Sequence, residues 1–320
     1  MSASRVLHGI GVDIGGTKIA AGLVTEDGRI LRQETDPTPA SGIAAAVASL
    51  VTRLRGAEPV GGVGIGAAGF VDGDRSTVNF APNIAWRDEP LGADVAALLD
   101  VPVVVENDAN AAAWGEYRFG AGEDSDDMLF VTVGTGIGGG IVHHGNLFRG
   151  GFGAAAEIGH LRVVPGGRLC GCGQLGCLEQ YASGRALVRD ARERAEAGDP
   201  AAKPLVDLAG SVEAITGPMV TDLAQQGDPL SRDVLHDAGR WLGEGIASLA
   251  SVLDPAVIAV GGGVAAAGDL LLDPIRAAFE EHLSARAYRR VADLRLAAFG
   301  NEAGIIGAAD LGRIETVEGS

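Results

Sequence analysis

The chain has 320 residues, 47 % of them hydrophobic and 21 % charged, with a formal net charge of −17. So acidic a surface excludes broad binding to nucleic acid or to anionic membranes, which both call for basic faces. The length suits two domains of about 100–200 residues each, and the fifty glycines, clustered between apolar stretches, point to backbone-lined loops.

Taken in chain order, the start M-S-A-S-R-V-L-H-G-I lacks the apolar core of a secretory signal, and a cytoplasmic location is expected. His8 to Asp13 is a predicted strand that runs into Gly15-Gly16-Thr17. A second strand, Ile19 to Val24, turns at Asp27-Gly28 into a third, Ile30 to Thr35. Ser41 to Arg55 has helical apolar spacing, with Ser41 as the expected N-cap. Val60–Ile65 and Val101–Val105 are almost wholly apolar and read as buried strands. A helix of good formers follows, Ala109 to Tyr117.

The opening pattern then returns. Phe130 to Val133 leads into Gly134-Thr135-Gly136, and Gly138 to Val142 leads out toward Gly145-Asn146, so that Asp13 matches Thr132 and Gly15 matches Gly134. Such an internal repeat implies two related α/β lobes. Arg185 to Ser251 is mostly helical in pattern, with breaks at Gly198-Asp199-Pro200 and Gly227-Asp228-Pro229. The apolar stretch from Ile246 to Leu272 reads as helix, strand, glycine loop and helix rather than a membrane span, because Asp254-Pro255 and Gly261-Gly262-Gly263 interrupt it. A last helix, Ala303 to Leu311, is expected to pack on the first lobe.

Four groups of residues carry chemistry. The two glycine turns, with Asp13 and Thr17 on the first and Thr135 on the second, let backbone N–H groups approach an anion and suit the phosphates of a nucleotide held between lobes. Gly261 to Gly263 could take its adenosine end. Asn107-Asp108, between a strand end and a helix start, is either an N-cap or a carboxylate placed to take a proton from a substrate hydroxyl, and both roles fit the same geometry. His160, Cys170, Cys172 and Cys177 are the ligand set of a closed tetrahedral Zn²⁺ site; three cysteines within eight residues are a poor disulfide framework. Glu179 beside that loop is a candidate acceptor for a sugar hydroxyl, while Asn83 reads equally as a turn residue or a ligand.

Together these motifs resemble the ROK family (repressors, open reading frames and kinases): V-D-I-G-G-T-K at 12–18, E-N-D-A-N at 106–110, V-G-T-G-I-G-G-G at 133–140, E-I-G-H at 157–160 and C-G-C-G-Q-L-G-C-L-E at 170–179. The resemblance, most like bacterial glucokinases of that family, implies an α/β, two-lobed actin-like ATPase (ribonuclease H-like) fold with a structural zinc loop. Its lobes would be 1–115, joined by helix 303–320, and 116–302, with the zinc knuckle at 160–177. It implies ATP-dependent phosphorylation of the 6-hydroxyl of glucose with Asp108 as base. Asn83, Asn107, Glu157, His160 and Glu179 would bind the sugar, His160 serving zinc and sugar alike. Asp13, Gly15, Gly16, Thr17, Lys18, Gly134, Thr135, Gly136, Gly261, Gly262 and Gly263 would bind ATP with Mg²⁺, and a homodimer or homotetramer is expected. Ala68 stands where many members have proline, beside the expected sugar site.

Three rival readings have distinct signatures. A sugar-sensing regulator would carry a helix-turn-helix ahead of the first strand, for which His8 leaves no room. Kinases of mannose, fructose or N-acetylhexosamine would share every motif above. A polyphosphate donor would need a basic track near the glycine turns, and the 25 lysines and arginines show none there.

Overall fold

The structure, a computed structural model, describes residues 7–81, 84 and 86–318. It divides into two compact units, one of Met1–Asp126, Gly140–Ala156 and Asn301–Ser320, the other of Asp127–Gly139 and Glu157–Gly300.

The first unit opens with β1 (His8–Ile14), β2 (Lys18–Val24) and β3 (Ile30–Pro37), an antiparallel run whose turns fall at the predicted glycines. α1 (Ile43–Arg55) follows, then β4 (Val60–Ala67), a small antiparallel sheet of β5 (Phe70–Val71), β6 (Val78–Ala81) and β7 (Trp86–Glu89), α2 (Leu91–Ala96), β8 (Val103–Asn107) and α3 (Asp108–Phe119). The main sheet has the order β3-β2-β1-β4-β8, with β1, β4 and β8 parallel. Its register places Asp13 abreast of Gly66, Gly66 abreast of Glu106, and Ala67 abreast of Asn107. Chemistry-bearing residues therefore collect at the C-terminal ends of parallel strands, where α/β folds bind ligands.

Two local expectations fail for local reasons. Ser41 does not cap α1; the cap is Gly42, in the left-handed conformation with no side-chain bond. The strand expected from Val101 begins at Val103, because Pro102 has no N–H for a ladder and contributes only its carbonyl, to Val63.

The second sheet begins with β9 (Met128–Val133), β10 (Ile137–His143) and β11 (Asn146–Leu147); the boundary between units falls within β10. A loop with a short 3₁₀ turn at Ile158–His160 leads to α4 (Glu179–Ala182), α5 (Gly184–Glu196), α6 (Lys203–Ala209), α7 (Gly217–Gln225) and α8 (Pro229–Leu253). Asp254, left-handed, ends α8; then come β12 (Val257–Gly261), α9 (Asp269–His282) and β13 (Asp293–Leu296). β9, β12 and β13 pair in parallel, and the order is β11-β10-β9-β12-β13. No helix among the described residues is long and apolar enough to cross a membrane.

The last helix, α10 (Ala303–Glu318), belongs to the first unit and lies directly on β1, β4 and α3. The contact is backbone to backbone: a Cβ on Gly11 or Gly64 would overlap the carbonyl oxygens of Ile305 or Ala308. Ile305, Ile306, Ala308 and Ala309 are buried there. Asp310, also buried, accepts from Trp114 Nε1 at 2.9 Å and Arg118 Nε at 3.1 Å on α3, so its charge is paired where burial would otherwise penalise it.

Candidate active site

Asn107 is the N-cap of α3. Its Oδ1 accepts from the N–H groups of Ala109 and Asn110, both at 3.0 Å, and its Nδ2 donates to Gly69 O at 3.1 Å. Those bonds give Asn107 the capping role, and the second N–H of its amide leaves that role compatible with sugar binding. Asp108 is the first helical residue. Its Oδ1 accepts from Ala109 N–H at 2.9 Å. Burial raises its pKa, while bonds from Ala109 and its own backbone N–H oppose the shift. The helix N-terminus favours the anion as well, so Asp108 combines an apolar setting with retained basicity.

Asp13 lies near it on β1. Its pKa is raised to about 6, chiefly by burial, then by the charge of Asp108, with Lys18 working against both. The adjoining turn closes through Gly15 N–H to Lys18 O at 2.9 Å, and the amides of Gly16 and Thr17 meet no acceptor among the described residues. Gly16, Thr17 and Lys18 are exposed.

In the second unit the corresponding turn closes one residue sooner, through Gly134 N–H to Gly136 O at 2.9 Å, and the amides of Thr135 and Gly136 meet no acceptor among the described residues. With Gly15 aligned to Gly134, both turns thus begin on the same glycine N–H but differ in length by one residue. Gly134, Thr135 and Gly263 line a cavity of about 1020 Å³ whose further walls come from α5 and α7, among them Arg185, Val188, Pro218 and Thr221. Of the glycine triplet, only Gly263 reaches that lining; Gly261 ends β12 in the buried sheet and Gly262 precedes the following turn.

α5 is the part of this cavity that sequence reasoning missed. Arg185, Arg189 and Arg192, at helical spacing, all line it, and Arg185 Nε donates to Thr135 O at 3.3 Å. A basic set does therefore stand beside a glycine turn, brought there from 50 residues away. Of the three, Arg189 is charge-paired, with Asp190 at 2.7 Å, while Arg192 Nη2 donates to the carbonyls of Glu213 and Ile215 at 2.5 and 2.8 Å.

The zinc ligand set is gathered as expected. One ligand atom from each of His160, Cys170, Cys172 and Cys177 lies within 4.8 Å of all the others. Cys170 Sγ is 3.7 Å from His160 Nδ1, and Cys172 Sγ is 3.6 Å from Cys177 Sγ. A tetrahedron with Zn–S arms of about 2.3 Å has edges of about 3.8 Å, so these residues fit a structural Zn²⁺. The opposite imidazole nitrogen, Nε2, stands 3.9 Å from Glu157 Oε2, outside hydrogen-bond range but on the same side. One histidine thus turns Nδ1 to the thiols and Nε2 to a carboxylate, as a ring with two tasks would.

Glu179 starts α4 and returns to the second glycine turn. Its Oε2 accepts from Ile137 N–H at 3.2 Å, and the carboxylate lies so close to Gly136 that a Cβ there would displace it. Its Oε1 stands 3.9 Å from Cys170 Sγ. Asn83 lies outside the described residues.

Two units, each with a five-stranded sheet opened by strand, glycine turn and strand, define an actin-like ATPase fold of the sugar-kinase branch. The ROK family model matches residues 9–314, and the chain belongs to the ROK family. It is 53 % identical over 307 residues to the glucokinase of Streptomyces coelicolor, covering 95 % of this chain and 97 % of the relative. A solved ROK family glucokinase from Streptomyces griseus, in complex with glucose and AMPPNP, superimposes with a TM-score of 0.87 at 54 % identity, over 96 % of this chain and 99 % of that one. An N-acetylmannosamine kinase of Yersinia pseudotuberculosis is 35 % identical over 80 % of this chain and 83 % of its own.

Proposed function

We propose that this chain is a glucokinase that transfers the γ-phosphoryl group of ATP to the 6-hydroxyl of glucose. The observation that carries the reading is Asp108, a half-buried carboxylate at the first position of α3, in a chain more than half identical to glucokinases solved or named as such. Asp108 Oδ2 takes the proton of the sugar hydroxyl as its oxygen attacks the γ-phosphorus and the bond to ADP breaks. Phosphoryl transfer calls for positioning and charge neutralisation more than covalent chemistry, so one base, amide donors and a cation suffice.

The amides of Gly16, Thr17, Thr135 and Gly136 hold phosphate oxygens, and Gly134 and Gly263 flank the nucleotide's cavity. Asp13, near the end of β1, would hold the Mg²⁺ that accompanies ATP, which would supply neutralisation of phosphate charge. Asn83, Asn107, Glu157, His160 and Glu179 accept or donate to the other sugar hydroxyls, and a sugar lacking one of those groups leaves polar atoms unpaired, which is the basis of selection. Zn²⁺ held by His160, Cys170, Cys172 and Cys177 keeps the 160–177 loop in shape, so that His160 Nε2 and Glu179 stay in place. A cytoplasmic homodimer or homotetramer completes the proposal, carried by family resemblance.

The test is an assay of sugar-phosphate formation with glucose, mannose, fructose, N-acetylmannosamine and N-acetylglucosamine, first with ATP and then with polyphosphate in place of ATP. Glucose with ATP should give the highest kcat/KM. A higher value for another hexose would move the substrate, and no turnover on any sugar would sink the kinase reading.

A further inference from the structure

Glu106, next to last in β8, is 1 % exposed and has no part in the assignments above. One of its oxygens is held by hydrogen bonds and the other by charge contact with two guanidiniums. Oε1 accepts from the backbone N–H of Asn107 at 2.9 Å and from Nδ2 of Asn110 at 3.1 Å. Oε2 lies 3.0 Å from Arg149 Nε and 3.3 Å from Arg75 Nε.

The two guanidiniums reach Glu106 from separate segments. Arg149 donates through Nη1 to Gly73 O at 3.1 Å and through Nη2 to Asp72 O at 2.9 Å, so one planar fork spans the turn at 72–75 and the end of β8. Arg75 sits in the left-handed region at φ 55, and its carbonyl accepts from Val105 N–H at 2.9 Å. Burial pulls its pKa down to about 10, against the support of Glu106.

A buried cluster of two cations and one anion is a poor device for stability, since well-packed apolar residues serve as well or better. Its geometry suits a different purpose. Glu106 holds Asn107 by its N–H; Asn107 caps α3 and bonds Gly69; Asp108 is the next residue along. Each link fixes the one after it, and the last is the carboxylate that must meet a hydroxyl in a narrow range of distance and angle.

We infer that Glu106, braced by Arg75 and Arg149, is a positioning residue that holds the Asn107–Asp108 step and keeps the Asp108 carboxylate aimed at the sugar hydroxyl. This rests on the reading of Asp108 as the base. Glu106 touches no substrate; it acts through the backbone of Asn107.

The experiment compares Glu106→Gln, Arg149→Lys, Asp108→Asn and the double variant Glu106→Gln/Asp108→Asn, with kcat and both KM values from the sugar-phosphate assay and folded fraction from circular dichroism. Glu106→Gln keeps an oxygen for Asn107 but loses the charge that holds the arginines. It should lower kcat about 10–100-fold, with the KM for ATP within about twofold and the folded fraction unchanged. In the Asp108→Asn background the same substitution should lower the residual rate by less than about threefold, because its route runs through Asp108. An equal loss in both backgrounds, or an unchanged kcat, overturns the inference while leaving the base reading intact. A near-parental kcat in Asp108→Asn overturns the base reading, and the inference with it. Should Glu106→Gln fail to fold, Arg149→Lys carries the same comparison: lysine keeps the charge but cannot span Asp72, Gly73 and Glu106 together, so a parental kcat there is overturning too.

Discussion

Asp13 and Asp108 are set at the C-terminal ends of parallel strands of one sheet, separated by the single strand that carries Gly66. A Cβ on Gly66 would stand 3.6 Å from both Asp108 Cα and Val12 O, so nothing bulky screens the two carboxylates. Their repulsion adds to burial in raising Asp13 to about 6. The pair is a candidate binding place for a cation on one side and a hydroxyl proton on the other.

The first prediction follows from the sign of that shift. Asp13 ionises at about 6 when folded, against an ordinary value of 3.8. The protonated form is thus favoured by folding, and the stability it contributes is full below pH 4 and lost as pH rises through 6. Asp13→Asn should be about as stable as the parent near pH 4 and more stable by up to about 3 kcal/mol at pH 7, in the absence of nucleotide and Mg²⁺. Thermal melts of both proteins across that range would show it; a difference independent of pH would contradict it.

Asp108→Asn keeps the shape of the side chain and removes the base. A loss of about 10²–10⁴ in kcat is expected, with glucose affinity by calorimetry within a few-fold of the parent. A variant that turns over normally would free Asp108 from the role.

Gly136→Ala places a methyl group on the Glu179 carboxylate. A side-chain terminus moves more readily than backbone, so the fold should survive while Glu179 leaves Ile137 N–H. The expected result is a rise of about tenfold in the KM for glucose, the scale of one charged hydrogen bond, with little change in Tm. An unchanged KM would show that Glu179 does not hold the sugar.

The Cys₃His cluster should hold about one Zn²⁺ per chain by elemental analysis. Cys177→Ser should lower both zinc content and Tm, and the parent should lose stability under a strong chelator. Protein purified without zinc yet fully folded and active would rule the structural role out.

Gly64→Val drives a side chain into the carbonyl of Ala308. No rotamer relieves a clash made at Cβ, so α10 must lift from the sheet, at a cost above the usual 1–3 kcal/mol of overpacking. Loss of soluble protein, or a Tm drop of more than about 10 °C, is expected.

Much of the protein was legible in the order of its residues. Alternating apolar runs, the Asp27-Gly28 hairpin, both glycine turns and the spacing of His160 with three cysteines are local signals, since strand period, positive φ and ligand chemistry act over a few neighbours. They determined the lobes' openings and a zinc knuckle before any contact was known. What tertiary structure alone decided depends on residues far apart in sequence. Arg75, Glu106 and Arg149 meet only because β8 and two loops converge, and Arg185 reaches Thr135 across 50 residues. That Asn107 Nδ2 would reach Gly69 O, 38 residues away, while its Oδ1 caps α3 was likewise not readable from the chain. Burial and charge pairing are properties of the assembled register, and for that reason the basicity of Asp108 could be suspected from its neighbours in the chain but given a physical cause only by its neighbours in space.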